Sequence, residues 1–81
     1  MKLYIGNLPY SIRDDSLKAL FDKFGNVVSA SVIMDRDSGR SKGFGFVEFS
    51  DEAEAKAARD AMNNKEVDGR ALKVDFARPK A

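Results

Sequence analysis

Lys42-Gly43-Phe44-Gly45-Phe46-Val47-Glu48-Phe49 is the stretch on which the fold and the function both turn. Successive side chains of a β-strand point to opposite faces of its sheet. Extended, this segment places Lys42, Phe44, Phe46 and Glu48 on one face and Gly43, Gly45, Val47 and Phe49 on the other. Val47 and Phe49 suit an ordinary core. Phe44 and Phe46 are then two large rings on the opposite face, bracketed by charges. Unless a further layer covers them, such rings mark an interaction surface.

Working outward, no such layer is found. Upstream, Leu3-Tyr4-Ile5 is a short β-prone run closed by Gly6-Asn7 and Pro9. Ser11 followed by Asp14 offers a helix cap. Leu17, Leu20, Phe21 and Phe24 recur at helical spacing, which predicts a helix over 13–24 that Gly25 ends in a left-handed conformation. Residues 27–34 read as a second strand, and residues 35–41 as a polar hairpin loop. Downstream, Asp51 and Glu54 offer a second cap. Ala55, Ala58, Ala61 and Met62 form a narrow stripe of mostly small residues on a helix over 51–62, ended by Asn63-Asn64. Val67 precedes a turn at Asp68-Gly69, and residues 72–76 form the last strand. The order β-α-β-β-α-β predicts an α+β, ferredoxin-like sandwich: a four-stranded antiparallel sheet with both helices on one face. The other face has nothing left to bury it. The topology places the first and third strands at the centre. With Leu3 and Ile5 inward, Tyr4 and Lys2 join the side of Phe44 and Phe46. Ser29, Ser31 and Ile33 line that side of the second strand, with Ala30 and Val32 inward. Lys73 and Asp75 border it on the last strand, between inward Leu72 and Val74.

The 81 residues make one domain, expected over 1–78 with a short basic tail at 79–81. There is no cysteine and no histidine. That excludes disulfides, thiolate or imidazole metal sites, and Cys- or His-based nucleophiles. Gly43-Phe44-Gly45 does not continue to a third glycine at the dinucleotide spacing, and no phosphate-loop lysine motif occurs, so no cofactor is expected. No run approaches the ~18 apolar residues of a membrane span, and the start lacks a signal-like segment. The expectation is a soluble monomer of the cytoplasm, or also of the nucleus in a eukaryote, without a membrane partner. Net charge is only +1, yet nine of the 14 bases and six of the 13 acids lie outside the expected helices. Strands and loops are therefore slightly basic, although a mixed solvated surface explains this equally well.

Tyr4, Phe44 and Phe46 together form a platform of flat π-faces, which stack on unpaired bases at ~1–3 kcal/mol per base. Lys42 on the same strand can meet a phosphate or a base edge. Asn7 serves equally as a turn residue or as a ligand. Arg36 and Arg40 in the hairpin loop either grip phosphates or keep the loop soluble. Lys73 extends the basic border, and Arg78 and Lys80 extend it further if the tail is engaged. Tyr10 is either a local staple or a nucleotide contact.

Residues 42–49 match the octapeptide ribonucleoprotein motif of the RNA-recognition-motif family at all seven constrained positions. Leu3-Tyr4-Ile5-Gly6-Asn7-Leu8 resembles the companion hexapeptide. The resemblance extends over the whole chain: Phe24-Gly25 at the helix end, Gly39-Arg40-Ser41 in the loop, and Asp68-Gly69-Arg70 before the last strand. It is closest to small single-domain RNA-binding proteins of the bacterial and cold-inducible, glycine-rich type, without their glycine-rich tail. The resemblance implies that Tyr4 and Phe44 stack successive bases, that Phe46 contacts the sugar between them, and that Lys42 pairs with the phosphate backbone. Single-stranded RNA is the implied partner, and single-stranded DNA a second ligand, since stacking does not read the 2′-OH. RNA contacts are expected at Tyr4, Phe44, Phe46, Lys42, Lys2, Asn7, Arg40, Lys73 and Arg78. A protein-interaction role for the helical face competes. There the family uses Arg-x-Phe before the last strand and degenerate sheet aromatics, whereas this chain has Arg70-Ala71-Leu72 and intact aromatics. No acid pair at catalytic spacing supports an enzyme.

Overall fold

The computed structural model describes residues 2–77. Strand β1 (Lys2–Gly6) buries Leu3 and Ile5 completely and leaves Tyr4 outside, as alternation requires. Helix α1 (Asp14–Asp22) turns Leu17 and Phe21 into the core, with Leu20 and Phe24 packed at its margin. Strands β2 (Val27–Met34) and β3 (Ser41–Phe49) form the hairpin, and helix α2 (Glu52–Met62) follows. A short ribbon, β4 (Glu66–Val67) with β5 (Arg70–Ala71), leads into β6 (Lys73–Phe76). The main sheet is antiparallel with order β2-β3-β1-β6, so β1 and β3 are central, and its register pairs Tyr4 with Phe46 and Ser31 with Phe46. The α+β, ferredoxin-like arrangement is the one expected. The core lies between the sheet and the helices, where Val47, Phe49, Leu72 and Val74 meet Leu17, Phe21, Ala55, Ala58 and Met62.

Several local expectations are corrected. Ser11 does not cap α1; the cap position is Arg13, without a side-chain bond. The Ser11 hydroxyl donates instead to Asp68 (3.3 Å), and the Asp14 carboxylate accepts the Val32 N–H of edge strand β2 (2.7 Å). A polar group that could satisfy its own helix is spent tying α1 to an open sheet edge. Asp51 does cap α2, accepting from the Ala53 N–H, while Glu54 reaches across to the Asn26 N–H. Gly25 does end the helix with a positive φ, but at 154° it lies outside the left-handed helical well, and a side chain there would collide with the Glu54 carboxylate. Ala61 is exposed, because it lies about 90° around the helix from the centre of the Ala55–Ala58–Met62 line. The Asp68-Gly69 turn is the tip of a true hairpin, with φ of 50° and 81° at its two central residues, the positive pair a tight two-residue turn needs. Leu8 and Ile12, in the loop after β1, are core residues that periodicity does not reveal. The proposed domain end at residue 78, the tail at 79–81 and Arg78 lie outside the described residues.

Candidate nucleic-acid interface

The sheet face opposite the helices carries three rings. Tyr4 and Phe46 are cross-strand partners, with centroids 5.9 Å apart at 65°. Phe44, two residues along β3, has its centroid 5.8 Å from that of Tyr4 at 33°. These are the edge-on and tilted geometries that aromatic quadrupoles favour. Tyr4 leans along its strand over Gly6, where an added Cβ would lie 3.1 Å from the tyrosine ring. Gly6 therefore leaves room for Tyr4 to reach Phe44. Phe44 and Phe46 are half-buried and Tyr4 is 38 % exposed, with no element of the described chain laid over them. They shield one another at their edges and keep faces open.

The opposite face of β3 explains why these rings are held still. Gly45 lies under α1 and against β2: a side chain there would meet the Ser31 carbonyl oxygen, the Val32 Cα at 3.1 Å and the Leu17 Cδ2 at 3.2 Å. Only glycine permits this approach, so Gly45 locks β3, and with it Phe44 and Phe46, against its neighbours. Gly43 adopts a φ of 85° where the β2–β3 register slips between Val32 and Met34. Its N–H donates to the Ser41 hydroxyl (3.0 Å), and its carbonyl accepts from the Leu8 N–H (2.8 Å). This bulge interrupts the alternation assumed for residues 42–49, so strict period 2 holds only from Phe44 onward.

The cations distribute around the platform. The Lys2 ammonium sits 5.6 Å from the Phe46 centroid, a cation–π contact at the platform's edge. The Lys73 ammonium donates to the Asn64 side chain (3.2 Å) on the outer border of β6. Lys42 and Arg40 are exposed beyond the Gly43 bulge, and both line a cleft with Tyr10 and Arg13. Among the described residues the ion pairs are those of Arg59 with Asp60 and Asp75, so Lys2, Lys42, Arg40 and Lys73 hold their charge without a carboxylate partner. Asn7 has a φ of 58°, and its amide donates to the Ala71 carbonyl (2.8 Å), tying the loop after β1 to the β4–β5 ribbon. Of the residues singled out from sequence, the structure brings together Tyr4, Phe44, Phe46 and Lys2. It places Lys42 with Arg40 beyond one end and Lys73 on the edge strand, and commits the Asn7 amide to a backbone contact. Tyr10 has no periodic context in the sequence, and the fold sets it beside Arg13 and Arg70. The Arg70 guanidinium lies 5.2 Å from the Tyr10 centroid.

Comparisons with known proteins agree with this geometry. A family model described as the RNA recognition motif matches residues 3–73. Glycine-rich RNA-binding protein 2, mitochondrial, of Arabidopsis thaliana is 51 % identical over 82 residues, covering 99 % of this chain and 52 % of that protein. The crystal structure of RNA Binding Protein PG1 superposes with a TM-score of 0.90 at 45 % identity, covering 99 % of both chains. The solved Sxl-lethal protein/RNA complex gives a TM-score of 0.92 at 32 % identity, covering 99 % of this chain and 48 % of that one. The chain spans from 22 % to 52 % of the length of the curated relatives it matches, several of which are named as chloroplast or mitochondrial proteins.

Proposed function

This chain belongs to the RNA recognition motif family, and from that premise we propose that it holds a short single-stranded RNA segment on the Tyr4–Phe44–Phe46 platform. The observation that carries the proposal is the trio of rings, with Phe44 and Phe46 each within 6 Å of Tyr4, open on the side away from the helices. An unpaired base and the ring it stacks on each lose water from the face they share, and any base can do so. Tyr4 and Phe44 take successive bases, Phe46 meets the sugar between them, and Lys42 pairs with a phosphate. Lys2, Arg40, Lys73 and Arg78 add positive charge along the strand's path. Asn7 contributes through the shape of the loop it fastens and through its exposed position beside β1.

The proposal assigns binding and no reaction. The chain acts as a monomer, and single-stranded DNA binds the same rings. Cytoplasm is the proposed location, alongside the organelle interiors for which relatives are named. A few stacked bases and phosphate pairs predict affinity on the order of −7 to −8 kcal/mol, in the micromolar range. The test is a titration of short fluorescent RNAs at low salt. Absence of binding, or unchanged binding in the Phe44→Ala/Phe46→Ala chain, refutes it.

A further inference from the structure

The main sheet has two open edges, β2 and β6, and the chain closes them very differently. We infer that Asp14 is a gate on the β2 edge: its carboxylate keeps β2 from pairing antiparallel with the β2 strand of a second copy of this chain. The inference rests on the monomer reading proposed above and gives it a residue.

An edge strand presents every second N–H and C=O to solvent, and that row is a template for another chain. Along β6 and the residue before it, the outward donors are those of Leu72, Val74 and Phe76, and each is taken. The Leu72 N–H donates to the Lys65 carbonyl (2.9 Å), the Val74 N–H to the Asn63 side chain (3.2 Å) and the Phe76 N–H to the Asp75 carboxylate (2.7 Å). The Leu72 carbonyl accepts in turn from the Asn64 N–H (2.7 Å). Lys73 and Asp75 also set charge along this strand, which discourages an incoming one.

The β2 edge has no such series. Between the register shifts at Val27/Ser29 and Val32/Met34, residues 29–32 pair regularly with β3. Val32 turns its N–H outward, to the Asp14 carboxylate at 2.7 Å, and alternation turns the Ala30 N–H and carbonyl the same way. Among the described residues, Asp14 is the one side chain bonded to the backbone of this strand. The strand itself, Val27-Val28-Ser29-Ala30-Ser31-Val32-Ile33-Met34, has no charge, no proline and no glycine, and Val28 is 61 % exposed. Such a composition favours addition to a like strand.

A second copy is the occupant because β2 is complementary to itself. Paired antiparallel about Ser31, Ala30 of each copy meets Val32 of the other, and each such pair exchanges two hydrogen bonds through its outward groups. No like charges then face each other along the strand. This register needs the Val32 N–H of both copies. Asp14 occupies that donor and sets a negative charge where the partner's carbonyl oxygen must arrive, so it fills the position and repels the competitor. The bulges on either side keep the pairable stretch short, so loss of the gate gives a weak dimer. Such a dimer joins the two sheets edge to edge, with both aromatic platforms on the same side.

The test is sedimentation velocity of the full chain at protein concentrations up to about 1 mM, where weak association is populated. The parent should sediment with the mass of one chain. Asn63→Ala should do the same, since Leu72 and Phe76 still close β6. Asp14→Ala should move toward twice that mass as concentration rises. Adding Ala30→Pro to Asp14→Ala deletes an outward N–H that β3 does not use, and should restore the single-chain mass. Amide hydrogen exchange of the parent gives a second reading that needs no variant to fold. The Val32 amide should exchange ~10-fold or more slowly than the Ala30 amide, as a charge-assisted hydrogen bond requires. An Asp14→Ala chain that stays single at every concentration, association that survives Ala30→Pro, equal association of Asn63→Ala, or a Val32 amide exchanging as fast as that of Ala30 overturns the gate. A parent already of twice the mass overturns the monomer reading instead, so the two failures are distinguishable.

Discussion

Phe44→Ala separates a ring that serves binding from one that serves folding. Phe44 is half-buried on the open face, and its ring contact is with Tyr4 at 5.8 Å. Deleting it removes one aromatic pair, at roughly 0.5–1.5 kcal/mol, and opens no cavity in the core. For a domain of this size that lowers the melting temperature by only ~4–8 °C per kcal/mol lost. Phe49, five residues along the same strand, is 1 % exposed and packs edge-on against Phe21 at 6.5 Å. Its truncation leaves a hole between sheet and helix and should cost ~3–5 kcal/mol. Binding should rank the two in the reverse order. Phe44→Ala forfeits a stacked base, ~1–3 kcal/mol or roughly 5- to 150-fold in Kd. The assay is fluorescence anisotropy of a labelled single-stranded RNA, paired with thermal melting of the same samples. A Kd within about twofold of the parent, or a melting loss matching that of Phe49→Ala, would refute the reasoning, because Phe44 would then be packing rather than platform.

Three further outcomes follow from particular contacts. Gly45→Ala should lower stability by ~1–3 kcal/mol by overpacking, seen as a reduced urea midpoint, because its methyl would press on the Ser31 carbonyl and Leu17. Asp14→Ala should cost about 1 kcal/mol in the same unfolding assay, since the Val32 N–H at the edge of β2 loses its charged acceptor. RNA affinity should fall linearly with the logarithm of salt concentration, and Lys42→Ala should reduce that slope by ~0.7, the contribution of one phosphate contact on a single strand.

The alternation of residues 44–49 was legible from the chain alone, because β-strand periodicity is a property of the backbone and needs no partner. So were the two helices, whose apolar residues at i, i+3 and i+4 declare which side must be buried. From those came the open sheet face and the trio Tyr4, Phe44 and Phe46, since two helices can cover only one side of a four-stranded sheet. Side chains that bond across the fold were not legible. Ser11 and Asp14 look like a cap in sequence, but they bond Asp68 and the Val32 N–H, residues 57 and 18 positions away. Likewise Asn7 reaches Ala71 and Glu54 reaches Asn26. A polar side chain has several near-equal local options, and which one it takes is decided only when the fold delivers a distant donor or acceptor.

Gly43 and Tyr10 mark the same division. A glycine within a strand allows a bulge without requiring one, and the slip of register against β2 decided it. Tyr10 had no periodic context, and only the fold brought the Arg70 guanidinium over its ring. Local periodicity thus determined which faces exist in this protein. Tertiary contact alone decided where the charged and polar tips on those faces would end, because their energies differ too little in isolation to choose.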